Sequence, residues 1–100
     1  MKYNKLVRDN IPEHIRSKGV EPIIHIATDT EYWDKLKEKL VEEVQEFTDS
    51  ESIEELADIL EVVDAIQEYK KFDPNETHQI KEEKAIKRGK FTKRIILEES

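Results

Sequence analysis

The chain predicts a mainly α fold, an antiparallel helical bundle with one or two short peripheral strands. Three observations carry that expectation. Residues 34–47 place Leu36, Leu40, Val44 and Phe47 on one stripe, with Val41 widening it, as an amphipathic helix does. Residues 53–69 place Ile53, Leu56, Ile59, Leu60, Val62, Val63, Ile66 and Tyr69 on an arc of roughly half the helix circumference. The short interval from Phe47 to Glu54 suits a tight turn that folds the two segments antiparallel.

The elements follow in chain order. Residues 1–8 read as irregular and basic, with Lys2, Lys5 and Arg8. Asp9 or Asn10 caps a short helix over about 11–18, with Pro12 in its first turn and Gly19 stopping it. Residues 22–27, Pro-Ile-Ile-His-Ile-Ala, read as a short strand. Thr28-x-x-Glu31 offers a capping box that opens a long helix running to about Phe47. The second long helix covers about 52–71, and its apolar arc is too wide for one neighbour. A second packing surface is therefore expected, and in so small a chain it points to another subunit. Asp73-Pro74-Asn75-Glu76 starts a third long helix, mostly polar around Ile80, Ala85 and Ile86, which ends at Gly89. Phe91 to Leu97 alternates around Ile95 and reads as a closing strand, with 22–27 as its partner.

Composition bounds the function. One hundred residues make a single domain, 1–100, with a modest core. The chain is 41% charged and 36% hydrophobic, but its apolar residues are strongly patterned, so it is read as folded. A net charge of −7 argues against nucleic acid held through a generally basic surface. With no cysteine, disulfides and thiol chemistry are excluded. MKYNKLVRDN lacks an apolar signal core and no run reaches membrane-spanning length, so a cytoplasmic protein with no membrane partner is expected.

Glu55 stands out, because it projects from within the apolar arc of its helix. An unpaired buried carboxylate is costly, so it is normally protonated, hydrogen-bonded, ion-paired or bound to metal. Asp58 lies i,i+3 from it at the edge of the arc. The preceding helix carries a similar pair, with Glu43 at the rim of its stripe, Glu46 one step further out and Glu42 well round towards solvent. Folded back on each other, the two helices can bring Glu43, Glu46, Glu55 and Asp58 into an all-oxygen site suited to Mg²⁺ or Mn²⁺. A plainer reading competes. Ser52-x-x-Glu55 is itself a capping box, in which the Glu55 carboxylate returns to the Ser52 backbone. Asp58, a full turn into the helix, is not explained by capping.

Other chemistry is less defined. Lys81, Lys84 and Arg88 share a helix face and can meet phosphates, or form a solvated face with Glu82 and Glu83 interspersed. His14, His25 and His78 have no ligand spacing with one another. Tyr32 and Trp33 can stack on a base or join the core. Gly19 and Gly89 alone cannot form a phosphate-cradling loop, and no Ser/His/Asp arrangement is identifiable from chain order.

Lys39-Leu-Val-Glu-Glu-Val-Gln-Glu46 followed by Glu55-Leu-Ala-Asp58 resembles the EExxE…ExxD signature of the MazG-like, all-α nucleotide pyrophosphohydrolases. The opening Tyr3-Asn-Lys-Leu-Val-Arg-Asp-Asn-Ile-Pro12 and the closing Arg88-Gly-Lys-Phe91 resemble a small phosphoribosyl-ATP pyrophosphohydrolase-like branch of that family. The resemblance implies Mg²⁺ held by Glu43, Glu46, Glu55 and Asp58, with Glu42 as catalytic base just outside the ligand set. It further implies cleavage of a nucleoside triphosphate between its α- and β-phosphates to a monophosphate and pyrophosphate, in a homo-oligomer (dimer or tetramer). From their charge, Lys5, Arg8, Lys84 and Arg88 are expected to hold the substrate phosphates. Two alternatives stand beside this: phosphoribosyl-ATP hydrolysis in histidine biosynthesis, and a non-catalytic nucleotide-binding helical dimer. The chain departs from the pattern in its short interval between acidic pairs, in Asn10 where lysine is common, and in Lys90 where a second glycine is common.

Overall fold

Two long amphipathic segments folded back on each other form the centre of the molecule. In the computed structural model, which describes residues 4–100, the helices are α1 (Ile11–Ser17), α2 (Asp29–Ser50), α3 (Ile53–Lys70) and α4 (Pro74–Arg88). The first three residues, among them Lys2 and Tyr3 of the basic opening, lie outside the described residues; residues 4–8 are irregular, as expected. The antiparallel α2–α3 hairpin is the one helix pair with extensive packing among the described residues.

Local chemistry explains where the helices start. The Thr28 hydroxyl accepts from the Glu31 N–H at 3.3 Å and opens α2, as its capping box predicts. The Glu31 side chain turns away to His25 Nε2 at 2.9 Å, so only half of the box forms. Asn10 caps α1 without a side-chain hydrogen bond. Asp73 accepts from the Asn75 N–H at 2.9 Å and Pro74 opens α4, which Gly89 ends with a φ of 80°. α2 outruns its expected end at Phe47 by a turn. The Thr48 hydroxyl bonds the Val44 carbonyl at 2.9 Å and Gln45 reaches Asp49 at 3.1 Å. The helix stops only where Glu51 adopts a left-handed φ of 54°. The turn is thus tighter than the acidic spacing alone required.

Leu36 and Val62 are the buried hydrophobic residues of the interhelical core. At the open end of the hairpin, Trp33 stacks on Tyr69 with ring centroids 4.9 Å apart and planes at 3°. The Tyr69 hydroxyl donates to Asp29 at 3.0 Å, tying the end of α3 to the start of α2. Trp33 therefore packs within the hairpin, the plainer of its two readings.

The expected strands over 22–27 and 91–97 are not formed: no strand occurs among the described residues. Both segments are apolar enough for strands, but neither meets a backbone edge to pair with. Ile23, Ile26, Ile95, Ile96 and Leu97 stay exposed instead. Helices close on local hydrogen bonds, whereas a strand needs a distant partner that this arrangement does not supply.

Candidate metal centre

The hairpin brings the predicted carboxylates together. Oxygens of Glu42, Glu43 and Glu46 lie within 4.8 Å of one another, as do oxygens of Glu43, Glu55 and Asp58. Glu43 belongs to both groups and is the most enclosed, with 5% of its surface exposed. The sequence placed Glu43 only at the rim of its stripe. It is buried because α3 packs across that rim with Glu55 and Asp58 on its facing turn. Glu42, expected to point well away, is half-buried and belongs to the cluster. Glu46 is exposed but lies beside Glu43 on α2 and near Glu55 of α3.

Capping does not account for Glu55. The Ser52 hydroxyl does accept from the Glu55 N–H at 3.3 Å. The reciprocal bond is missing, because the Ser52 N–H is taken by the Ser50 hydroxyl at 3.3 Å. The Glu55 carboxylate instead points into the cluster, where its Oε2 is buried without a hydrogen-bond partner. Glu43 Oε2 is in the same position. Buried carboxylate oxygens are ordinarily satisfied, so two on facing helices mark a place where a cation fits.

Three cations already offset part of this charge. Lys39, which opens the acidic segment in the sequence but was given no role there, reaches Glu43 at 3.0 Å and Glu42 at 3.4 Å from within α2. Burial works against its ammonium, but the Glu43 hydrogen bond and the Glu42 charge hold its pKa above the usual value. Its i,i+3 and i,i+4 spacing to two acids was a readable signal that those acids share a face. Lys5 meets Glu42 at 3.0 Å and Arg8 meets Asp58 at 2.7 Å, so the amino-terminal segment docks on the cluster. Glu42 feels burial first, which raises it, but the Lys5 hydrogen bond and the Lys39 charge bring its carboxyl below the ordinary range. Glu46 goes the other way. A hydrogen bond to Glu43 that only a protonated Glu46 can make, reinforced by desolvation and the charges of Glu43 and Glu55, pushes it up to about 7. The raised affinity reflects negative charge that Lys39, Lys5 and Arg8 leave uncompensated.

Lys84 and Arg88 stand apart from this site. They line an open groove of about 590 Å³ formed by α4 and the residues after it, floored by Ile80, Ala85 and Phe91. No basic residue of α4 is paired with the cluster's carboxylates among the described residues.

No family model matches the chain, and no solved structure matches it. A stretch of 42 residues is 55% identical to an uncharacterized protein of Mycolicibacterium smegmatis, covering 42% of this chain and 43% of that protein. Less than half of that relative is thus spanned. Fold and site together define a helical-hairpin protein with an acidic centre. No helix among the described residues is long and apolar enough to cross a membrane.

Proposed function

We propose that the protein is a Mg²⁺-dependent nucleotide pyrophosphohydrolase of MazG-like type, working in the cytoplasm. The observation that carries the reading is the pair of unpartnered buried oxygens, Glu43 Oε2 and Glu55 Oε2, inside a five-carboxylate cluster. Glu43, Glu46, Glu55 and Asp58 would hold the ion, with Mn²⁺ an alternative. When bound, it neutralises phosphate charge and lowers the pKa of a coordinated water. Hard oxygen donors from carboxylates suit that choice of ion.

The protein residues then divide the remaining work. Glu42 accepts the proton of the attacking water once Lys5 has left it. Arg8 and Lys5 face the same cleft and grip phosphate oxygens, which an acidic protein cannot attract without local cations. The bond broken joins the α- and β-phosphates, leaving a nucleoside monophosphate and pyrophosphate. The working form is a homo-oligomer. Val41, Ile53 and Leu60 are 70%, 78% and 58% exposed along the hairpin, more apolar surface than a lone helical pair leaves to water without a partner. Lys84 and Arg88 reach a phosphate only if a neighbouring copy presents its α4 to the cleft.

The test is pyrophosphate release from a panel of nucleoside triphosphates and phosphoribosyl-ATP, with Mg²⁺ and with chelator. Metal-dependent release that Glu55→Gln abolishes is expected. Turnover confined to phosphoribosyl-ATP would move the protein to histidine biosynthesis. Nucleotide binding without any release would leave a non-catalytic module.

A further inference from the structure

The amino-terminal arm touches the cluster at two chosen points. Arg8 Nη2 sits 2.7 Å from Asp58 Oδ1, on a proposed metal ligand, and Lys5 Nζ sits 3.0 Å from Glu42 Oε1, on a proposed base. These contacts join residues 50 and 37 positions apart, so they depend on how the arm lies across the hairpin and not on helix periodicity. Leu6 is half-buried between them, and Asp9 lies near enough to Tyr32 to help burial raise its phenol. The two ion pairs differ from that of Lys39. The Lys39 side chain is 18% exposed and grows from α2 itself, so it is a fixed part of the centre. Arg8 and Lys5 are 56% and 44% exposed, on a segment without regular structure. Exposed pairs of this kind contribute little and open readily.

We infer that the arm is an exchangeable strap: Arg8 and Lys5 serve as counter-ions for the empty carboxylate cluster and transfer to the anionic ligand's phosphates when a divalent cation is held. This rests on the metal reading of the cluster. A guanidinium on Asp58 occupies an oxygen that the cation requires, and two positive groups crowded onto one carboxylate repel. Once Asp58 and Glu42 are released, the same two side chains stand at the mouth of the cleft and face the phosphates. Metal binding and phosphate binding are then coupled through one arm, each favouring the other. The arm also keeps Glu42 from acting as a base until the cation and the anion are both in place.

The experiment compares the full chain with Arg8→Gln and Lys5→Gln/Arg8→Gln, using calorimetric titration of Mn²⁺ and then of inorganic pyrophosphate into the Mn²⁺-loaded proteins. Helical circular dichroism verifies that each variant is folded. The strap requires opposite signs: Mn²⁺ bound about two- to fivefold more tightly by Arg8→Gln, the worth of an exposed ion pair, and pyrophosphate bound at least about fivefold more weakly. A merely structural arm would weaken both together. In the parent chain, tryptic cleavage after Lys5 should accelerate on adding Mn²⁺ as the strap lifts. Equal or weaker Mn²⁺ binding by Arg8→Gln overturns the strap while leaving the metal centre standing. Unchanged pyrophosphate affinity overturns the transfer to phosphate. If neither parent nor variant binds Mn²⁺, the metal reading and the strap fail together.

Discussion

Glu55 and Glu43 fix the chemistry at the scale of single residues. Glu55→Gln keeps the shape and removes a charge from a cluster that already contains too many. Its melting temperature without metal should equal or exceed that of the parent, whereas the increase that Mg²⁺ gives the parent should vanish. Lower stability without metal, with metal stabilisation intact, would return Glu55 to a capping role. Glu46 supplies a pH signature of definite sign. Its carboxyl, pushed up to about 7 against an ordinary 4.5, holds its proton more tightly in the folded chain than in the unfolded one. That contribution is complete below about 4.5 and is lost as pH rises through about 7. Glu42, held low, acts in the opposite sense and only below the ordinary carboxyl range. In chelator, the urea midpoint at pH 5 should therefore exceed that at pH 8, and Mg²⁺ should restore most of the difference at pH 8. A midpoint that rises with pH in chelator would contradict the shared proton.

At the scale of elements, the α2–α3 hairpin carries the fold. Leu36, 1% exposed, is the most enclosed side chain of the interface. Leu36→Ala should cost about 2–5 kcal/mol by urea denaturation, and Ser52→Ala, which removes the α3 cap, about 1 kcal/mol. Both helices were legible in the sequence because their apolar residues recur at helical spacing and their caps are local. So were the acidic pairs, since i,i+3 spacing fixes a shared face once the helix is granted. The burial of Glu43 was not, because it depends on how closely α3 crosses that rim. The docking of Arg8 on Asp58 was not legible either, since it joins an irregular arm to a helix far along the chain. The two expected strands failed for a related reason. Both are rich in isoleucine, but strand pairing is a non-local event, and composition alone does not name a partner.

At the scale of the whole molecule, shape is informative. The radius of gyration is 17.8 Å and the principal extents are 56 × 31 × 23 Å, against about 13 Å for a compact domain of this length. The excess comes from α4 and the segment after it, which extend from the hairpin with Phe91, Ile95 and Ile96 in water. A chain so open, with an apolar hairpin face, is expected to complete its core against a second copy. Light scattering should give a multiple of the 11.9 kDa chain mass. Val41→Glu with Leu60→Glu should shift that mass to the monomer. A monomeric parent at tens of micromolar would contradict the oligomer and remove the route by which Lys84 and Arg88 reach a phosphate.

Calorimetric titration of Mn²⁺ into the parent chain and Glu43→Gln asks whether the hairpin's carboxylates form a divalent-cation centre. Saturable binding by the parent is expected, greatly weakened by loss of the one carboxylate common to both acidic groups. Binding of equal strength by the two proteins, or none by a folded parent, would contradict it.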